Sequence, residues 1–316
     1  PHDPGRSDID HVHAPPQMPH LIGEDGKLHW PFIYRYKMTF SEDGLERQYV
    51  YNKEKRYPIK LFARGDTYEF WGLFETNIHL VGTEGAPWYP LGTDRMGKDL
   101  LSRMIHGGRI SLTIGLVGVM ITTWLGTVIG TISGYYGGMI DGLIQRGIEL
   151  IMSFPPIPLW MALAAALPPH WSPIKVYFGI VTILSLIGWG GLARQVRGMV
   201  LSYREREFVK AARSFGASDG YLIFRHLIPS CLGYLIVIAT LAIPGTILGE
   251  TALSFLGLGI RPPMTSWGVL LEEAQHVRVL VQFPWLLLPA LPVLLTVVSF
   301  NMMGDALRDA IDPTST

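Results

Sequence analysis

The sequence predicts an all-α polytopic membrane protein carrying a small, mainly β, water-facing part at its N-terminus. Three observations predict it. Mean hydropathy is positive, +0.27, and only 16% of the 316 residues are charged, against about one quarter in a soluble domain. The charge is uneven: residues 1–106 hold 13 Lys/Arg and 15 Asp/Glu, whereas 107–316, twice as long, hold 13 and 11. Five stretches after residue 108 each supply the ~20 mostly apolar residues that a helix needs to cross a ~30 Å hydrocarbon core.

Residues 1–106 mix a Pro-rich loop, Ala14–Pro19, with strand-like runs at Trp30–Phe40, Gln48–Tyr51, Pro58–Ala63 and Thr67–Phe74. These runs predict a small β subdomain. The predicted spans are Ile110–Ser133, Ile140–Leu167, Val176–Met199, Leu232–Leu256 and Trp285–Gly304. The second contains Pro155, Pro156 and Pro158, and Arg146 and Glu149 lie near its start. Proline is tolerated inside a span because neighbouring helices re-satisfy freed backbone groups, so Pro244, Pro289 and Pro292 are read as kinks.

Lys and Arg in short loops set orientation. The segment Arg194–Arg225 carries seven of them and is placed on the cytoplasmic side. Alternation then puts Gly134–Met139 and the C-terminus inside, and Pro168–Lys175, Gly257–Phe283 and residues 1–106 outside. No leader with a charged start and an apolar core opens the sequence. A chain that starts outside therefore calls for an earlier spanning helix, and a sixth helix preceding this sequence is expected.

Several residues invite a chemical reading. Gly92–Asp99, GTDRMGKD, nearly fits the phosphate-cradling loop G-x-x-x-x-G-K-[ST], but Asp99 stands where a hydroxyl must meet Mg²⁺, and no apolar strand leads into it. It is read as the lead-in to the first span. His2, His11, His13, His20 and His29 match no zinc spacing and are read as loop histidines; no metal is expected. Cys231, the lone cysteine, is read as a small buried hydrophobe. Glu250 lies within a span, where a carboxylate is a functional candidate; a structural hydrogen-bonding role near the outer end is the competing reading. Pro155 and Pro244 join it as candidates for the translocation path. Overall neutrality argues against nucleic acid, which selects a basic face.

The most informative segment is the cytoplasmic Tyr203–Pro229, YREREFVKAARSFGASDGYLIFRHLIP. A charged start, then Ala211, Ala212, Gly216 and Asp219, predicts a short helix ending near the glycine. Such a helix suits a partner's groove; a stop-transfer loop needs charge but not this spacing. Lys210–Pro229 resembles the E-A-A-x-x-x-G loop of ABC-importer permeases. Leu253–Leu271 (LSFLGLGIRPPMTSWGVLL) and Asn301–Pro313 (NMMGDALRDAIDP) resemble signatures of the C-type permease subunits of dipeptide and oligopeptide importers. Leu91–Leu112 resembles that family's lead-in to its second span, so the resemblance covers about 91–316. Lys210 stands in place of the family's Glu, and Glu207, three residues earlier, is a substitute for it. Ala14–His20 (APPQMPH) resembles the stretch that usually runs almost directly into L-G-T-D, which makes roughly 21–90 an insertion in the outer loop.

The resemblance implies a six-span permease subunit of the bacterial cytoplasmic membrane, surrounded by lipid and forming half of a peptide pathway with a second permease subunit. Two ATPase subunits would hold ATP and Mg²⁺, leaving no cofactor in this chain, and an extracytoplasmic binding protein would deliver cargo. Glu207, Lys210, Ala211, Ala212, Gly216, Ala217 and Asp219 would couple to the ATPases. An ion-driven carrier working alone predicts several mid-membrane ionisable groups and an inverted repeat. An intramembrane hydrolase predicts H-E-x-x-H or G-x-S-x-G. None of these is found in the sequence.

Overall fold

Four antiparallel strands in the order β1-β2-β3-β4 form the N-terminal sheet of a computed structural model that describes residues 2–23, 25–41, 47–70 and 74–311. β1 is His20–Ile22, β2 Leu28–Phe40, β3 Arg47–Phe70 and β4 Phe74–Thr83. β2 buries Phe32, Ile33, Tyr34 and Tyr36, the aromatic and β-branched residues that fit a pleated, half-buried surface. Gln17 fastens the preceding loop: its amide donates to the Tyr34 carbonyl at 2.6 Å, and its side-chain oxygen accepts from the Tyr89 amide at 3.2 Å.

The strand reading needs two corrections. Gln48–Tyr51, Pro58–Ala63 and the start of Thr67–Phe74 are not separate strands but parts of one 24-residue β3; residues 71–73 of the last run lie outside the described residues. β3 pairs with β2 as far as Pro58 and with β4 from Ile59 onward. Pro58, which has no N–H for the ladder, therefore sits where one partner replaces the other. β4 went unread, although Phe74, Thr76, Ile78 and Leu80 alternate with Glu75, Asn77 and His79, the period of a strand.

The helices are α1 Leu100–Tyr136, α2 Gly138–Met152, α3 Pro156–Ala165, α4 Pro173–Tyr203, α5 Glu207–Ser214, α6 Asp219–Leu222, α7 Ile228–Phe255, α8 Trp267–Glu272, α9 Val277–Gln282 and α10 Ala290–Ile311. A π turn, Ile223–Leu227, joins α6 to α7. By length and composition, four helical runs among the described residues are able to cross a membrane, and a fifth if the bent pair α2–α3 is one span.

That pair corrects the second predicted span. α2 and α3 meet at 83°, a break rather than a kink. Pro156 forbids helical geometry at Pro155, whose ψ is 131°. Pro156 and Pro158 then fall in the first turn of α3, where no N–H is needed. Clustered prolines thus end one helix and begin another, whereas the isolated Pro244 stays inside α7. Pro289 likewise precedes α10, so the last predicted span starts with a 3₁₀ turn, Pro284–Leu287, before the helix proper. The motif Asn301–Pro313 lies on α10 as far as Ile311; Asp312 and Pro313 fall outside the described residues.

Two compact units result: Pro1–Arg109 with Thr265–Pro292, and Ile110–Met264 with Val293–Thr316. In the second, α1 and α4 meet along Gly126, Gly130 and Gly134. A Cβ on Gly126 would meet Leu192 at 3.0 Å, one on Gly134 the Arg197 carbonyl at 2.8 Å, and one on Gly130 the Ala193 carbonyl oxygen. Small residues four apart let spanning backbones approach closely. Gly130→Val is expected to force α1 from α4 and destabilise the unit by about 2–3 kcal/mol, at the upper end of overpacking costs. Thermal unfolding in detergent checks this.

Candidate functional site

The short helix predicted from the sequence is α5, and its ends follow local rules. Gly216 adopts φ +84°, the left-handed geometry glycine supplies at a helix terminus. The Gly216 amide donates to the Arg213 carbonyl at 3.0 Å and the Ala217 amide to the Ala212 carbonyl at 3.1 Å, the paired bonds of a Schellman motif. Ser218 then caps α6, its hydroxyl accepting from the Tyr221 amide at 3.3 Å. Ala-Ala-x-x-x-Gly-Ala-Ser-Asp is thus a helix stop followed at once by a helix start. Asp219 belongs to the second helix, so Lys210–Asp219 is a helix–turn–helix and not one helix.

α5 is held to the bundle by one apolar and one polar contact. Val209, Leu222, Ile223 and Leu227 are buried with Tyr135, Val196 and Val200, and Ala212 and Ala217 pack against them. The Tyr135 hydroxyl, at the end of α1, donates to Asp219 Oδ1 at 2.5 Å and accepts from Arg213 Nη2 at 2.7 Å. Arg204 donates to the carbonyls of Gly134 and Tyr135 at 3.0 and 3.2 Å. Nearby, Arg197 forks onto Asp141 at 2.5 and 2.6 Å, a bidentate pair that also accepts from Ser133. Tyr135 and Asp141 escaped the sequence reading because their partners Asp219 and Arg197 are 84 and 56 positions away.

Ala212, Phe215, Gly216, Ala217, Ser218, Tyr221 and His226 line an open depression of about 500 Å³. Phe215 is 92% exposed beside it. Among the other predicted residues, Ala211 is exposed, and Lys210 pairs with Glu205 at 3.3 Å rather than with Glu207. Glu207 occupies the first turn of α5, where an acidic group complements the helix dipole.

The path candidates lie elsewhere. Glu250 is fully buried on α7. It accepts from the Ser254 hydroxyl at 2.6 Å and from the Ser111 hydroxyl at 3.3 Å, while Ser254 accepts from the Ile260 amide at 3.1 Å. Pro155 stands at the α2–α3 break and Pro244 is buried within α7. From Asp219 to Glu250 the chain is continuously helical, about 45 Å at 1.5 Å per residue. One helical run therefore starts beside α5 and carries the buried carboxylate.

In the first unit, the phosphate-loop look-alike has a different purpose. The amides of Met96 and Lys98 donate to Asp94 Oδ1 at 2.7 and 2.9 Å, and Arg103 pairs with Oδ2. The amides that would cradle a phosphate already hold a carboxylate. Asp99 caps α1 by accepting from the Ser102 amide at 2.9 Å and the Ser102 hydroxyl at 2.5 Å. Glu273 lies beside this group, 3.5 Å from Arg95 and 3.9 Å from Arg103. Burial, and then the charge of Asp94, push its carboxyl above the ordinary glutamate range against the pull of the Arg95 amide and of Arg103 and Arg95. A folded-state pKa raised above the unfolded one stabilises below the ordinary value and loses that contribution as pH climbs through the raised value. Glu273→Gln is expected to remove this slope; amide exchange across residues 94–105 from pH 4 to pH 7 measures it.

Comparison with known proteins agrees with this architecture. Residues 126–315 match the model of the family described as binding-protein-dependent transport system inner membrane component. The oligopeptide transport system permease protein OppC of Haemophilus influenzae is 45% identical over 224 residues, 70% of this chain and 69% of that one. The dipeptide transport system permease protein DppC of Alkalihalophilus pseudofirmus is 40% identical over 242 residues, 76% of each. A chain of the MetNI methionine ABC transporter, in inward-facing conformations, superposes with a TM-score of 0.51 at 15% identity, covering 67% of this chain and 98% of that one, a likeness of fold. The chain therefore belongs to the binding-protein-dependent transport system inner membrane components and is a membrane-spanning permease subunit of an ABC importer.

Proposed function

We propose that this subunit passes di- or oligopeptides inward, and that α5 with its glycine turn is the part through which ATPase closure reaches the spanning helices. The observation that carries the reading is the Arg213–Tyr135–Asp219 junction, which ties α5, the end of α1 and the start of the α6–α7 run at one hydroxyl. A push on α5 moves both helical ends together. In this reading, the exposed depression beside Phe215 receives the ATPase, which binds ATP and Mg²⁺, and two ATPases serve this chain and a second permease subunit. An extracytoplasmic binding protein delivers the peptide, and in this reading residues 1–106 are extracytoplasmic. Peptide cargo is supported by the names of the relatives; family membership speaks against the stand-alone carrier and the hydrolase.

Gly216→Val tests the coupling. A β-branched residue in left-handed geometry is strained by about 1–3 kcal/mol, while the site itself is open, with nothing within 4 Å of an added Cβ. The turn should distort without a clash in the bundle. The assembled transporter is expected to insert normally and hydrolyse ATP without peptide uptake. Normal substrate-stimulated uptake by this variant would refute the assignment.

A further inference from the structure

The first unit holds a cavity of about 650 Å³ lined by β3, β4, Pro87–Pro90 and the first turns of α1. That volume lies within the range of small-molecule sites, ~300–1,000 Å³. Two of its acidic groups are already committed. Asp66 accepts from Arg6 at 2.8 Å and from the Asp3 amide at 3.1 Å; Asp8 accepts from the Tyr89 hydroxyl at 2.9 Å and lies 2.8 Å from the His11 ring.

Asp99 differs. It is 2% exposed, and both of its bonds from Ser102 fall on Oδ2. Its Oδ1 is enclosed and has no donor among the described residues. An enclosed acceptor without a donor is costly and calls for an explanation. Burial lowers the pKa of the neighbouring His2 imidazole against the opposing pull of Asp99. Arg35 and Arg64, both exposed, line the same cavity, and the charge of Arg64 also reaches the Glu84 carboxylate. Trp88 and Ile105 add apolar wall.

We propose that this cavity binds a small zwitterion of amino-acid to short-peptide size, its ammonium group on Asp99 Oδ1 and its carboxylate toward Arg35 and Arg64. The site belongs wholly to the first unit and does not depend on the cargo assignment. An ammonium supplies the donors Oδ1 lacks, and a planar guanidinium suits a carboxylate. An uncharged ligand of the same shape leaves Asp99 as it is.

The test uses the assembled transporter in lipid nanodiscs without its binding protein, with tritiated Phe-Ala as probe. Free Phe, N-acetyl-Phe-Ala and Phe-Ala amide serve as competitors. Phe-Ala is expected to bind saturably, with free Phe competing and the acetylated form competing at least about tenfold more weakly, as loss of a charged hydrogen bond requires. Asp99→Asn keeps a good helix cap, so it should fold and yet lose binding by a similar factor. Arg64→Gln should weaken Phe-Ala more than the amide. Equal competition by N-acetyl-Phe-Ala, undiminished binding to Asp99→Asn in a folded complex, or no binding to the wild type overturns the proposal. Uptake measured with the binding protein present reports on the import reading separately.

Discussion

Asp94→Ala is expected to destabilise the first unit by about 3–5 kcal/mol, the cost of removing one partner of a buried ion pair. Asp94 is 1% exposed and the Arg103 side chain 11%, so alanine leaves a guanidinium desolvated beside the Glu273 carboxylate alone. It also strips the acceptor from the amides of Met96 and Lys98, and the loop that leads into α1 loses its centre. Asp94→Asn retains an acceptor for the two amides but not the charge, so an intermediate loss is expected. Chemical unfolding with amide exchange across residues 92–105 separates the two variants. A loss below about 1 kcal/mol for alanine, the range of exposed pairs, would show that the network is not buried as described.

The second large effect is on function. Phe215→Ala is expected to leave stability within about 0.5 kcal/mol, as for surface substitutions free of special contacts, because the ring is 92% exposed. Transport should nevertheless collapse. An aromatic anchor at the centre of a docking surface is worth about 2–4 kcal/mol, which is roughly 30- to 1,000-fold in ATPase affinity. Tyr135→Phe probes the same pathway from within: it keeps the ring but removes the hydroxyl shared by Arg213 and Asp219. ATPase binding should persist in that variant while peptide uptake per ATP falls. Co-purification of the ATPase, measured beside uptake, separates loss of docking from loss of transmission. If Phe215→Ala retains both, the exposed ring is not the docking contact.

Much of this was legible because the signals are local. Hydropathy placed the ends of the four unbroken helical runs to within 13 residues, the largest offset being Leu232 against Asp219, since crossing lipid demands length and apolarity and little else. Gly216 marked the stop of α5 because only glycine enters the left-handed region at little cost. The P-loop match fails in the sequence at Asp99, and in the structure the Asp94 carboxylate takes the amides of Met96 and Lys98 in that loop. Two misses were also local. The run of Pro155, Pro156 and Pro158 was placed inside one span when pre-proline geometry already implied a stop and a restart. The alternation of Phe74, Thr76, Ile78 and Leu80 was a strand left unread.

By itself, then, the sequence determined that this is a multi-span membrane protein with a β-rich first part, a glycine-capped helix between spans and a carboxylate within a span at Glu250. Each is written in composition, periodicity or a few adjacent residues. Only the tertiary structure decided that Tyr135 joins Arg213 to Asp219, that Asp141 grips Arg197, that Lys210 faces Glu205, and that Asp99 lines a cavity with one oxygen unspent. Those contacts pair side chains at separations the backbone does not fix locally. Which hydroxyl meets which carboxylate depends on how helices and strands pack, and neither hydropathy nor a capping rule carries that information.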